Sequence, residues 1–210
     1  MGGAGWRRLT VGLVTGSGLV CLGTAASIVE QLKQTYSPST SLRTEFTLEI
    51  YWKVREKTQR KKGELLVAPG NKFRVKLGEM LWVCDGSTYW QYSKATGQVI
   101  VRNFRDTDLS AHPSQILSAW LHDHSFEEAA GGEGEVMLQW RREEGADEPP
   151  IVEICLWVDP ATNVVRRMQY TNERGNTSTY TFKKTRLGEQ IPESAFTFTV
   201  PEGADVLDNR

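Results

Sequence analysis

At 210 residues the chain fits one domain, on a prior of about 100–200 residues each. Its 25 Lys+Arg against 26 Asp+Glu leave a net charge of -1, which excludes the basic footprint expected of a nucleic-acid binder. Hydrophobic residues at 39% and charged residues at 24% describe a globular protein, while 7 Trp, 7 Phe and 6 Tyr demand either a bulky core or an apolar surface offered to something else.

Residues 1–26 read as a secretory signal. Arg7 and Arg8 form a short basic start, an apolar run extends from Leu9 to Leu22, and Gly23-Thr24-Ala25-Ala26 supplies small residues for cleavage. The run is broken by Gly12, Gly16 and Gly18 and falls short of the roughly 20 residues a spanning helix needs. Val20 before Cys21 argues against a lipidated N-terminus. The expected mature protein, residues 27–210, is a single exported domain of mildly acidic charge. Its remaining thiols, Cys84 and Cys155, stand in strand-like apolar runs, where export permits a disulfide and burial as free thiols is the simpler expectation.

Ser27 is placed to cap a helix whose Ile28, Val29, Leu32 and Tyr36 share a face, and Ser37-Pro38-Ser39 ends it. From Arg43 the period becomes two: Phe46, Leu48, Ile50 and Trp52 alternate with polar residues. A basic hairpin tip over 55–62 follows, and a return strand at 64–67 closes at Pro69-Gly70. Short strands at 73–77, 80–84, 87–92 and 98–102 are separated by Gly78-Glu79, Asp85-Gly86 and Thr96-Gly97, which predicts an antiparallel meander. Pro113 then opens a helix over 113–121 whose Ile116, Leu117, Trp120 and Leu121 recur at helical spacing. Strands resume at 136–141, 151–158, 164–171, 176–183 and 196–200. The pattern predicts a mainly β domain of about eleven strands with a few short helices. A sheet this long curls, closes or splits, and the helices are left to cover one of its faces.

Catalytic signatures are scarce. His112, His122 and His124 lack the paired spacing of a zinc site, and the Gly131-Gly132-Glu133-Gly134 segment is acidic and reads as a hairpin connection rather than a phosphate cradle. No Gly-x-Ser-x-Gly elbow occurs. No cofactor and no metal are expected, and the expectation is that this is not an enzyme. The basic run Arg55, Lys57, Arg60, Lys61 and Lys62 is either a solvated, edge-protecting tip or a docking patch for an acidic partner or an anionic membrane. The aromatics of the strands line either a packed core or an apolar pocket, and composition leaves both open.

Several segments together decide between them by resemblance. They are the opening helix, the strand from Phe46 to Trp52, Gly63-Glu-Leu-Leu-Val-Ala-Pro-Gly-Asn-Lys-Phe-Arg74, and Cys84-Asp-Gly-Ser-Thr-Tyr-Trp-Gln-Tyr92 with Gln98-Val99. Further on come Pro113 to Leu117, Leu156-Trp-Val-Asp159, Asn172-Glu-Arg-Gly-Asn-Thr177 and the ending Phe196-Thr-Phe-Thr-Val-Pro-Glu-Gly-Ala-Asp-Val206. In this order the chain resembles the periplasmic outer-membrane lipoprotein carrier family LolA. The resemblance implies an unclosed antiparallel β-barrel, a half-barrel, with a helical lid and an apolar cavity for the acyl chains of lipoproteins. It also implies a periplasmic monomer that is loaded by an ATP-driven complex of the inner membrane and unloaded onto an outer-membrane acceptor. Alternation then points to Phe46, Leu48, Ile50, Trp52, Phe73, Val75, Trp90, Tyr92, Leu138 and Trp140 as the cavity lining. Ile28, Leu32, Ile116, Leu117, Trp120 and Leu121 become the lid. Where the family's best-known form carries an arginine that holds the lid, this chain has Ala68, so that gating does not carry over. A LolA-like lipid-binding or sensor domain is the alternative.

Overall fold

The computed structural model describes residues 26–107, 117, 121–132, 134–143 and 151–210. The expected signal, up to residue 25, lies outside the described residues, as do Ile116 and Trp120 of the expected second helix.

Helix α1 (Ile28–Thr35) starts where Ser27 accepts the Glu30 amide at 3.2 Å, which satisfies one of the unpaired N–H groups of a first turn. Eight residues are too few for a helix to stand alone in water, so α1 depends on what Leu32 and its neighbours bury. A second, single-turn helix, α2, covers Leu121–Asp123.

Twelve strands form one sheet. In chain order they are β1 (Leu42–Trp52), β2 (Lys57–Ala68), β3 (Lys72–Leu77), β4 (Met80–Asp85), β5 (Thr88–Ser93), β6 (Gln98–Asn103), β7 (Glu127–Gly132), β8 (Glu135–Arg141), β9 (Ile151–Asp159), β10 (Val164–Asn172), β11 (Thr177–Leu187) and β12 (Asp205–Asp208). The spatial order β12-β6-β5-β4-β3-β2-β1-β11-β10-β9-β8-β7 is a pair of meanders joined where β1 meets β11. Its ends, β12 and β7, do not pair with each other, so the sheet is an unclosed half-barrel. All ladders are antiparallel except β12 against β6, which is parallel.

Directly opposed residues in a ladder share a face, so the register can be followed across the molecule. One row runs Leu187, Leu42, Val67, Phe73, Cys84, Tyr89; another runs Leu138, Leu156, Met168, Tyr180, Leu48. These rows belong to the inner face, where they form one buried cluster with Leu32 and Tyr36 of the α1 region, Leu117 and Leu121. The other face of β4 to β6 carries Val83, Trp90, Tyr92, Val99 and Val101. It is covered by the chain after β11, with Phe198 at 6.1 Å from both Trp90 and Tyr92, ring centre to ring centre.

The sequence pattern misplaced three things. The expected strand over 196–200 is a 3-10 turn (Glu193–Phe196) followed by extended chain, laid across the sheet rather than paired into it. Its alternating Phe196, Phe198 and Val200 imitate a strand, with Phe196 buried and Phe198 half-buried over the sheet while Val200 is exposed. Two real strands were missed. The Glu-Glu-Ala-Ala-Gly-Gly sequence of β7 has no apolar alternation to show, and β12, all exposed, needs only a ladder along β6. The basic run is also less of a tip than expected, because β2 begins at Lys57 and carries Lys57, Arg60, Lys61 and Lys62 as strand residues.

Candidate functional site

Near the C-terminal end of α1 the described residues form a largely apolar, partly open void with a volume of about 290 Å³. Its walls are Tyr36 and Pro38 after the helix, Leu42 of β1, Val67 and Ala68 of β2, Phe73 of β3, Leu187 of β11 and Leu117. Polar groups, among them Asn71, Lys72, His122 and Asp123, also border it. With about 30 Å³ of liquid volume per water, a space of this size exceeds a few waters and approaches the smaller ligand pockets of about 300 Å³.

Leu32 and Tyr36 are the main contacts that hold α1 over the sheet, with Ile28 and Val29 packed beside them. Leu32 is fully buried in the cluster. The Tyr36 hydroxyl accepts the Val165 amide at 3.0 Å, at a place in β10 where the ladder with β9 slips its register. Burial pushes the Tyr36 phenol up to about 12, offset in part by that amide and by Arg166. At the opposite rim Lys72 binds the Glu193 carboxylate at 2.6 and 2.8 Å, which ties β3 to the segment crossing the other face.

Of the residues expected to line a cavity, only Phe73 borders this void, joined by Leu117 from the lid set and by Ala68. Phe46, Leu48, Val75, Leu138 and Trp140 are on the inner face but packed into the buried cluster, with Ile50 against it. Phe46 stacks into a run of rings, its centre 5.3 Å from Tyr180 and 6.5 Å from Phe182. Trp52 keeps the right parity yet is 40% exposed, at the end of β1 where β3 no longer flanks the hairpin. Trp90 and Tyr92 are corrected outright: they oppose Val83, Val101, Leu81 and Val99 and pack beneath Phe198 on the far face. Of the lid set, Leu32, Leu117 and Leu121 are buried and Ile28 packs against the same cluster.

Tyr36 and Leu187 contribute to the site without having been singled out as site residues. Tyr36 follows Leu32 at a spacing of four, so its position on the buried helix face was legible; its hydrogen bond to a strand 129 residues away was not.

The buried titratable groups are held neutral. Burial pushes the Cys84 thiol up to about 11 and raises the Tyr89 and Tyr180 phenols as well. Cys84 and Cys155 are free and buried, and they stand on opposite faces of the sheet, Cys84 against Phe73 and Cys155 against Gln139. Among the described residues no cluster of three His, Cys, Asp or Glu is placed to hold a metal ion. His124 instead lies edge-on to Trp140, with ring centres 5.1 Å apart. An arrangement of neutral phenols, a protonated thiol and aliphatic walls offers burial to an apolar group.

A protein-family model described as outer membrane lipoprotein carrier protein LolA matches residues 37–199. The chain belongs to the LolA family. An outer-membrane lipoprotein carrier protein of Chromobacterium violaceum is 29% identical over 187 residues, 87% of this chain and 88% of that relative. One from Dechloromonas aromatica is 26% identical over 186 residues, with the same shares covered. Among solved structures, an uncharacterized conserved protein from Thermus thermophilus aligns with a TM-score of 0.55 at 16% identity, covering 87% of this chain and 97% of that one. That likeness is one of fold. Among the described residues of this LolA-family chain, no helix is long and apolar enough to cross a membrane.

Proposed function

We propose that the protein is a periplasmic carrier that shields the acyl chains of lipoproteins and moves them from the inner to the outer membrane. The observation that carries this reading is the apolar void under the end of α1, walled by Leu42, Val67, Ala68, Phe73, Leu117 and Leu187, in a chain of the LolA family. Each exposed CH₂ of an acyl chain costs about 0.8 kcal/mol in water, so a carrier must supply matching burial. The void as it stands takes a short apolar group, and a full acyl chain requires α1 to lift and hand over the inner face beneath it. An eight-residue helix fastened mainly by Leu32 and Tyr36 is suited to that.

The acyl chain enters beside Ala68 and extends along Phe73 and Val75 toward the ring cluster around Phe46. An ATP-driven inner-membrane complex loads the carrier, and an outer-membrane acceptor with higher affinity empties it. The carrier works as a monomer without cofactor, and burial alone accounts for the task. Purification from the periplasm followed by mass spectrometry of bound species tests this. Acylated proteins are the expected finding. Free lipids without any acylated protein would overturn it in favour of a lipid-binding or sensor role.

A further inference from the structure

The β1–β2 hairpin outgrows its neighbour. β3 pairs with β2 only from Gly63 to Ala68, whereas the β1–β2 ladder runs out to Trp52 opposite Lys57. The end of the hairpin, a 3-10 turn over Lys53–Arg55, therefore extends past β3, while on its other side β11 accompanies β1 as far as Tyr51 opposite Thr177. It is fixed there, because the Lys53 amide donates to the Asn176 side chain at 3.0 Å in the turn before β11. This end carries three of the six large hydrophobic residues found exposed among the described residues: Tyr51 at 39%, Trp52 at 40% and Val54 at 89%.

The charge around them is one-sided. Residues 51–62 contain six cations, Lys53, Arg55, Lys57, Arg60, Lys61 and Lys62, against the single anion Glu56, in a chain whose net charge is -1. Of the six, only Arg60 has an ion-pair partner, Glu49, among the described residues. Single exposed apolar residues are ordinary, but three together at a fixed projecting end inside a basic belt are not. A globular partner needs about 800 Å² of matching surface on each side. A lipid surface makes no such demand. Trp and Tyr settle at the headgroup level, Lys and Arg stems reach outward to phosphates, and anionic lipid attracts each cation.

We propose that this hairpin end is a docking site for anionic bilayers, with Trp52 and Val54 entering the headgroup region and Lys53, Arg55 and Lys57 meeting lipid phosphates. The proposal stands on the hairpin alone and does not depend on the acyl-chain reading of the void.

Co-sedimentation of the full protein with vesicles tests it. The protein is expected to sediment with vesicles of equal phosphatidylglycerol and phosphatidylcholine at about 0.05 M salt and to be released at about 0.5 M, where screening is short-ranged. Vesicles of phosphatidylcholine alone should leave it in solution. Lys53→Gln/Arg55→Gln/Lys57→Gln should weaken binding by on the order of a hundredfold, and Trp52→Ser/Val54→Ser by about tenfold. Both variants change exposed residues that do not border the void, so affinity for an acylated peptide should be unchanged, and a failure of one reading is separable from a failure of the other. Absence of binding by the natural chain, or equal binding by the variants, would overturn the proposal. Hairpin-dependent retention on immobilised poly-glutamate without vesicle binding would overturn it in favour of an acidic protein partner.

Discussion

Ala68 ends β2 at the wall of the void, which Leu117, His122 and Asp123 also border. A methyl group there makes no polar contact, so closure relies on Leu32, Leu117, Leu121 and the Tyr36 anchor. An arginine at this place would share the void's lining with a carboxylate, Asp123, and a charge-assisted hydrogen bond between them would hold the empty state shut. Ala68→Arg is therefore expected to weaken acylated-peptide binding by about tenfold, since the ligand must first break that closure. Equal or tighter binding in a titration would show that closure is not governed from this position. Tyr36 is the complementary case. Tyr36→Phe leaves the Val165 amide without its partner and should cost about 1–3 kcal/mol in denaturant unfolding. The pH dependence has a definite sign. A phenol raised from its ordinary 10.0 to about 12 contributes stability that is fully present below pH 10.0 and lost as pH climbs toward about 12. Tyr89 and Tyr180 shift the same way, so the difference between natural chain and variant isolates Tyr36: the gap should narrow above pH 10.0.

At the scale of elements, Gly63 shows how one strand position can be set by its neighbour. It opposes Phe46, and a Cβ built there would meet the Phe46 ring and the Lys76 carbonyl, so the ring occupies the space a side chain would need. Gly63→Ala should lower the unfolding midpoint, by about 1–3 kcal/mol of overpacking, although alanine is ordinarily preferred to glycine in a strand. An unchanged or higher midpoint would mean that the ring moves aside freely. The same local packing explains what the sequence revealed. In β1, polar Glu45, Thr47 and Glu49 face out between Phe46, Leu48 and Ile50, and alternation announced both strand and face. In β5, Tyr89 faces the inner cluster while Trp90 and Tyr92 face Phe198. With both faces covered, aromatics occur on each, and alternation loses its sign. The cover over Trp90 comes from a segment about a hundred residues later in the chain, so no window around β5 could have disclosed it.

The whole molecule keeps its inner face filled while empty. Among the described residues, side chains from β1, β2, β3, β8, β9, β10 and β11 meet those of α1, Leu117 and Leu121 in one buried cluster, and the apolar void beside it holds about 290 Å³. A ligand larger than the void must therefore replace protein contacts rather than occupy vacant space, and the element with least of its own stability gives way first. That element is α1, because the strands beneath it, β1 and β11 among them, share ladder hydrogen bonds on both sides whereas the helix has a short backbone run and a few docked side chains. Leu32→Ala removes the largest of these and should cost about 2–5 kcal/mol if α1 unfolds only with the sheet, but much less if it detaches alone. Hydrogen exchange separates the two. In the natural chain an acylated peptide should accelerate exchange of the α1 amides while those of β1 and β11 stay protected, and Leu32→Ala should reproduce the fast α1 exchange without ligand. If the peptide slowed α1 exchange, the helix would be closing over the ligand instead of yielding to it, and the acyl chain would have to find its room elsewhere on the inner face.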